Sequence, residues 1–270
     1  MLETPQCSVV IPAFNCAAYV AQAIDSVLNQ TIGRQSIEII VLDDGSTDAT
    51  AQRVRAFGSA VRFVQLEHGG VSKARNAGIE LARASVVAFL DADDYWLPQR
   101  LERAMPRLEA EERIFVNTEF FVETDGERAP DSYYRSRALR CLFELSAAAQ
   151  LTFALEENFI SSMVVAPAHA LRAAGGFNPQ LHYGEDWDLW LRLLQAGYAA
   201  RLITEPCAVY RLRRPGATSA RHDAAMARDR VFVLSQYRDA VSKYRWNTAV
   251  RLAKRLALRQ LIARFVPLHT

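Results

Sequence analysis

The first ninety residues alternate short apolar runs with helical patterns, and that order restricts the fold more than any other feature of the chain. Ser8-Val9-Val10-Ile11 reads as a buried strand stopped by Pro12, and residues 19–30 carry Tyr19, Val20, Ala23, Ile24, Val27 and Leu28 at helical spacing. Residues 37–42, 61–66 and 86–90 read as three further strands. Between them, Ser46-Thr47-Asp48 can cap a helix running towards Phe57, and residues 72–84 form another helix despite Gly78. Strand, polar loop and helix repeated in this way predict an α/β fold with a mainly parallel central sheet flanked by helices. Ligands of such sheets bind beyond the carboxyl ends of the strands. Pro12-Ala13-Phe14-Asn15, Asp43-Asp44-Gly45-Ser46 and Asp91-Ala92-Asp93-Asp94 all fall there.

Further along, residues 97–112 read as a helix bent at Pro106 and residues 114–122 as a strand, followed by the turn Thr124-Asp125-Gly126-Glu127. Residues 128–158 are weakly patterned and are expected to form a variable, partly mobile insert over the site. Met163-Val164-Val165 resembles a short strand, residues 168–174 a helix, and Gly175-Gly176 a break. Residues 186–196 form an amphipathic helix with Trp187, Leu189, Trp190, Leu193 and Leu194 as its apolar content. No internal repeat or clear linker appears. One catalytic domain over residues 1–237 is therefore expected, with its first half ending near 122, and a basic helical tail over 238–270.

With 50% apolar and 23% charged residues, the composition is that of a soluble globular protein. The start of the chain does not read as a secretory signal, and no apolar run approaches the roughly 20 residues a membrane span needs. Cys7, Cys16, Cys141 and Cys207 lack zinc-site spacing and read as reduced thiols, so a cytoplasmic setting is expected. The net charge of +2 hides an asymmetry: from Arg238 onward eight Lys or Arg stand against one acid. A basic tail on an acidic body argues against general nucleic-acid binding and towards a local contact surface. The tail helix could rest on anionic lipid at the inner face of the membrane, or pack on the catalytic domain or a second subunit.

The Asp91 to Asp94 cluster concentrates negative charge at the rim of the sheet, directly after the apolar run Val86-Val87-Ala88-Phe89-Leu90. Burying such charge is costly unless hydrogen bonds, water or a cation offset it. A divalent metal carrying a diphosphate would do so; the alternative is a solvated turn. Asp44 could accept a hydrogen bond from a base or ribose, or belong to a helix-capping loop. Phe14 could lie beside a base ring or pack into the core. In His68-Gly69-Gly70-Val71-Ser72-Lys73-Ala74-Arg75-Asn76-Ala77-Gly78 the glycines permit close backbone approach, and Lys73 or Arg75 could meet phosphate oxygens. Glu185-Asp186 opens the Trp-rich helix either as a cap or as a base for a sugar hydroxyl. The segment from Arg213 to Ser219, with His222 beyond it, could close over a pyrophosphate or be a solvated turn. No P-loop and no Gly-x-Gly-x-x-Gly follows the first strand.

Taken in order, five segments resemble the inverting, metal-dependent nucleotide-sugar glycosyltransferases of the GT-A fold, family 2. They are Ser8 to Asn15, Val41 to Asp48, Gly70 to Gly78, Phe89 to Asp94 and Gly184-Glu185-Asp186-Trp187-Asp188-Leu189-Trp190. The resemblance implies Pro12, Phe14 and Asp44 around the base, Arg75 near the base or phosphates, and Asp91 on the ribose. It implies Asp93 as the ligand of Mn²⁺ or Mg²⁺, with Asp94 in a supporting or capping place, and Asp186 as catalytic base. Asn15, Lys73, Glu185, Arg211, Arg213 and His222 are accessory candidates.

The expected partners are a nucleoside-diphosphate sugar, with a UDP-sugar preferred, and a glycan or lipid-linked acceptor of cell-surface polysaccharide synthesis. The Gln-x-x-Arg-Trp signature of processive synthases is absent after Asp186, and Tyr244-Arg245-Trp246 lies too far downstream to serve. Transfer of a single sugar is therefore expected. The rival readings are a sugar nucleotidyltransferase, which should carry a Gly-rich triphosphate loop where Pro12 to Asn15 stand, and a non-catalytic nucleotide- or carbohydrate-binding scaffold.

Overall fold

A computed structural model describes residues 4–135, 137–212 and 224–237. Four strands, β1 (Cys7–Ala13), β2 (Ile37–Asp43), β3 (Arg62–Gln65) and β4 (Val86–Phe89), pair in parallel in the order β3-β2-β1-β4. All seven residues of β1 and of β2 are buried, as expected of strands covered on both faces. Helices α1 (Val20–Leu28), α2 (Thr50–Arg55) and α3 (Val71–Leu81) make the crossovers. In α1 the residues at helical spacing, Val20, Ala23, Ile24 and Val27, are the buried ones.

β1 continues through Pro12 rather than stopping before it. The carbonyl of Val10 accepts the Leu90 N–H on the β4 side. Two residues on, Pro12 turns its nitrogen to that same side, where the β1–β4 pairing has already ended at Val10 and Phe89. No ladder donor is missed there.

Beyond β4 the sheet becomes mixed. β8 (Val165–Pro167) joins β4 antiparallel, and β6 (Ile114–Thr124) joins β8 antiparallel. The 14-residue β9 (Ala199–Leu212) then runs parallel to β6, and β5 (Tyr95–Trp96) closes the path antiparallel to β9. The expected mainly parallel character holds for the first ninety residues, and the whole sheet is mixed. β9 escapes a sequence reading because Pro206 interrupts its pattern; Pro206 sits where the β6–β9 register shifts, at an irregularity that tolerates a missing donor.

Residues 128–158 are more regular than their patterning suggests. β7 (Glu127–Ser132) forms a hairpin with β6 across Asp125-Gly126, both at positive φ, and α5 (Arg137–Leu142) and α6 (Ala147–Ala154) follow. Helix α4 (Arg100–Ala110) contains Pro106, and α7 (Ala168–Ala173), α8 (Glu185–Gln195) and α9 (Ala224–Ser235) complete the described elements. Among the described residues no helix is long and apolar enough to cross a membrane. The basic tail over 238–270 lies outside them.

Candidate functional site

The loops at the carboxyl ends of β1, β2 and β3 are tied to one another by side chains. Asn15 is held at φ 49°, a left-handed conformation that Asn tolerates. Its Oδ1 accepts the Thr47 N–H at 2.9 Å, and its own N–H donates to Ser46 Oγ at 3.0 Å. Asp44 reaches across to the next loop: Oδ1 accepts the Gly69 N–H at 2.8 Å and Oδ2 the Gly70 N–H at 2.9 Å. Gly70, at φ 91°, supplies the turn this needs ahead of α3. His68 Nδ1 lies 2.9 Å from Asp44 Oδ2, and its ring stacks on Phe14 with centroids 4.4 Å apart. Phe14 nevertheless remains 40% exposed, so the stack offers an aromatic surface at the mouth of the sheet. Lys73 is exposed and folds its stem over Gly69.

A second cluster is built around Arg75 on α3. Its guanidinium is buried, donating to Asp91 Oδ1 at 2.7 Å and to Glu185 Oε1 at 2.8 Å while lying 5.1 Å from the Phe177 ring centre. Desolvation opposes the buried charge, and the carboxylates of Asp91 and Glu185 outweigh it, so the group stays charged. Asp91 Oδ2 accepts from the Ser162 hydroxyl at 3.2 Å, a partner that sequence reading missed because one Ser in a short loop carries no pattern.

Asp186 lies next to Glu185 on the first turn of α8, after Gly184 in the left-handed conformation. It does not serve as a side-chain cap at the N-cap position; its Oδ1 accepts the adjacent Trp187 N–H at 2.6 Å. Burial, followed by the negative charge of Glu185, pushes its pKa up to about 7, against the opposing pull of Arg75. The sequence-predicted Arg75, Asp91, Glu185 and Asp186 thus form one electrostatic unit.

The rest of the acidic cluster is organised by Arg211 on β9. Its backbone N–H donates to Asp94 Oδ1 at 2.8 Å and its Nη1 to the Asp93 carbonyl at 2.8 Å. Nε and Nη2 are taken by Glu123 and Gln22, and the plane lies 4.6 Å from the Tyr95 ring centre. Arg211 therefore braces the acidic loop with its guanidinium engaged by protein groups. Asp94 is fully buried, and burial together with Asp93 and Asp91 raises its pKa well above the usual carboxylate value. Asp93 keeps partial exposure. No group of three His, Cys, Asp or Glu able to hold a metal occurs among the described residues. Pro12 stands in β1, two residues before Phe14, whereas Arg213 and His222 lie outside the described residues.

Two positioning devices connect these clusters to the body. Asn76 clamps Phe177, with Oδ1 accepting its N–H at 2.7 Å and Nδ2 donating to its carbonyl at 2.8 Å. Asp229 on α9 accepts the N–H groups of His182 at 2.8 Å and Tyr183 at 3.0 Å, immediately before Gly184. The Asn76 contact was foreshadowed only by its place in the Gly70 to Gly78 segment; Asp229 lacks any sequence signal.

The glycosyl transferase family 2 model matches residues 8–160, and the glycosyl transferase family group 2 model matches residues 86–270. Hyaluronan synthase of Pasteurella multocida is 28% identical over 200 residues, covering 72% of this chain and 19% of that protein. The chain thus corresponds to about a fifth of that relative's length. The UDP-Glc:alpha-D-GlcNAc-diphosphoundecaprenol beta-1,3-glucosyltransferase WfaP of Escherichia coli is 29% identical over 199 residues, covering 72% of each. Among solved structures, S. aureus TarS 1-349 in complex with UDP-GlcNAc superposes with TM-score 0.69 at 18% identity, over 96% of this chain and 72% of that one. That likeness confirms the GT-A type of α/β fold. With the family match spanning more than half its length and the ordered acidic and basic residues gathered at the carboxyl ends of its strands, this chain belongs to glycosyl transferase family 2.

Proposed function

We propose that this protein transfers one sugar from a UDP-sugar to a hydroxyl of a glycan or lipid-linked acceptor, with inversion at the anomeric carbon, in cell-surface polysaccharide synthesis. The observation that carries the reading is the Asp186 carboxylate, its pKa raised to about 7 beside the Arg75–Asp91–Glu185 unit. A base of that pKa is matched to taking a hydroxyl proton near neutrality. The names of WfaP, a glucosyltransferase with a lipid-linked acceptor, and of the UDP-GlcNAc complex of TarS support the donor and acceptor classes.

In this reading Phe14 and Asp44 flank the base, and Asp91, oriented by Arg75 and Ser162, meets the ribose. Asp93, partly exposed, is a hard carboxylate ligand. That fits Mn²⁺ or Mg²⁺, which commonly bind through one or two carboxylates and otherwise through substrate phosphates and water. When bound, such a cation supplies positive charge to offset that developing on the departing diphosphate. Asp186 Oδ2 receives the acceptor proton while the acceptor oxygen bonds to the anomeric carbon, opposite the breaking bond to the diphosphate. Glu185 stays paired with Arg75 and holds the first turn of α8 in place.

Asp186→Asn keeps the carboxylate's size and removes the base. Transfer from a UDP-sugar panel to glycan and lipid-linked acceptors is expected to fall about 10²- to 10⁴-fold. Calorimetric donor affinity should remain within about threefold, since this variant leaves the nucleobase, ribose and cation contacts in place. Near-wild-type transfer by this variant would refute the assignment.

A further inference from the structure

At the opposite end of the sheet, a cavity of about 360 Å³ opens between the amino ends of β2 and β3. Arg34, Arg62 and Arg83 line it together with Glu38 and Ser59. The volume lies within the roughly 300–1,000 Å³ of small-molecule clefts. Three guanidinium groups face one carboxylate, and that carboxylate is already spent. Glu38 is only 3% exposed, with Oε2 accepting from the Ser8 hydroxyl at 2.6 Å and the Arg83 N–H at 2.9 Å. Its Oε1 takes Arg83 Nε at 2.8 Å and lies 3.7 Å from Arg62 Nη1. Sharing one carboxylate oxygen brings Arg62 and Arg83 side by side, while Arg34 is fixed by its Nη2 bond to the Ala60 carbonyl at 2.6 Å.

The arginine side chains are held by bonds to Glu38, Leu81 and Ala60, yet those of Arg62 and Arg83 stay 44% and 63% exposed. Each retains guanidinium N–H groups that these bonds do not use. Pre-positioned, like-charged forks around one cavity recognise tetrahedral oxyanions through paired charge-assisted hydrogen bonds. We propose that this cavity is a second binding site, separate from the sugar-transfer crevice, for a phosphate-bearing small anion.

Free anion and lipid headgroup share that chemistry, and the topology favours the free anion. β2 runs from the cavity at Ile37 to the catalytic end at Asp43, so the two sites lie about 20 Å apart on opposite ends of the sheet. A headgroup seated in the cavity would turn the catalytic loops away from the membrane. The cavity's arginines would meet such an anion whichever sugar is transferred at the other end of the sheet.

The test is phenylglyoxal footprinting of the full chain, read by peptide mass spectrometry, with inorganic phosphate or pyrophosphate as probe. Arg62 and Arg83 should be protected several-fold in a saturable way. In the Arg34→Gln/Arg62→Gln variant, which keeps the Arg83–Glu38 bonds, protection of Arg83 should need at least tenfold more phosphate. Absence of protection at millimolar phosphate, or equal protection of Arg83 in the variant, overturns the site. A parallel sedimentation with phosphatidylglycerol vesicles separates the sources. Vesicle binding lost in the variant, without protection by free phosphate, overturns the free-anion assignment. A variant melting temperature within a degree or two of wild type assures that lost protection reports the cavity rather than the fold.

Discussion

Asp186 shows how one residue's protonation is set by its neighbours. Its folded pKa, about 7, stands above that of a solvated carboxyl because burial and Glu185 disfavour its charge more than Arg75 favours it. Two consequences follow from that sign. As the proposed proton acceptor it must be ionised, so kcat/KM should rise with pH through a limb near 7, and Asp186→Asn should lack this limb in its residual rate. Because the folded pKa is raised, the favourable contribution of the protonated group to stability is complete below its unfolded pKa and is lost as pH rises through about 7. Melting curves should therefore show Asp186→Asn more stable than wild type at pH 8, with the gain shrinking towards pH 4. Arg75 presents the reverse case. Arg75→Met leaves Asp91 and Glu185 facing each other without their shared cation. A loss of about 2–3 kcal/mol is expected in denaturant titration, below the cost at a fully enclosed pair because both carboxylates keep some water.

At the scale of elements, α3 explains why a glycine persists in the middle of a helix. A Cβ on Gly78 would stand 2.3 Å from Val10 Cγ1, and Val10 is fully buried on β1. Gly78→Ala gains about 1 kcal/mol of helix propensity but must displace α3 from the sheet, at about 1–3 kcal/mol for overpacking. The net expectation is a lowered melting temperature, and a weakened donor affinity because Arg75 travels with the helix. Asn76, one residue on from Arg75, governs a different element. Asn76→Ala removes both bonds to the Phe177 backbone, so the 176–184 loop loses one of its two anchors before α8. A fall in kcat larger than the change in donor Kd, measured by turnover and calorimetry, would mark that role as positioning of Asp186.

These helices were visible in the sequence because an apolar face repeats every turn. The partners that fix them were not. Phe177 is 101 residues from Asn76, Glu185 is 110 from Arg75, and Arg211 is 117 from Asp94. No local pattern encodes such pairs.

For the molecule as a whole, the proposed reading has the acidic loop complete its cation site only with the donor's phosphates. Among the described residues the protein offers no three-ligand metal cluster, and Asp91 and Asp94 already hold hydrogen bonds from Ser162 and Arg211. Chelation by EDTA is therefore expected to leave the melting temperature of the free protein unchanged while weakening UDP binding at least tenfold. A metal-dependent melting temperature without nucleotide would instead indicate a site the protein builds alone.

The sequence by itself determined the parallel α/β half and the order of the segments that resemble the family, and it marked Asp91, Asp93 and Asp186 as candidates. Each of these is written in local periodicity or in a few adjacent residues at a strand end or at the start of a helix. Only the tertiary structure decided that the sheet turns mixed beyond β4, that Arg211 braces the acidic loop and that Arg75 joins Asp91 to Glu185. The reason is physical: strand pairing and buried ion pairs depend on which distant groups share one low-dielectric space, and closure of the chain alone creates that space.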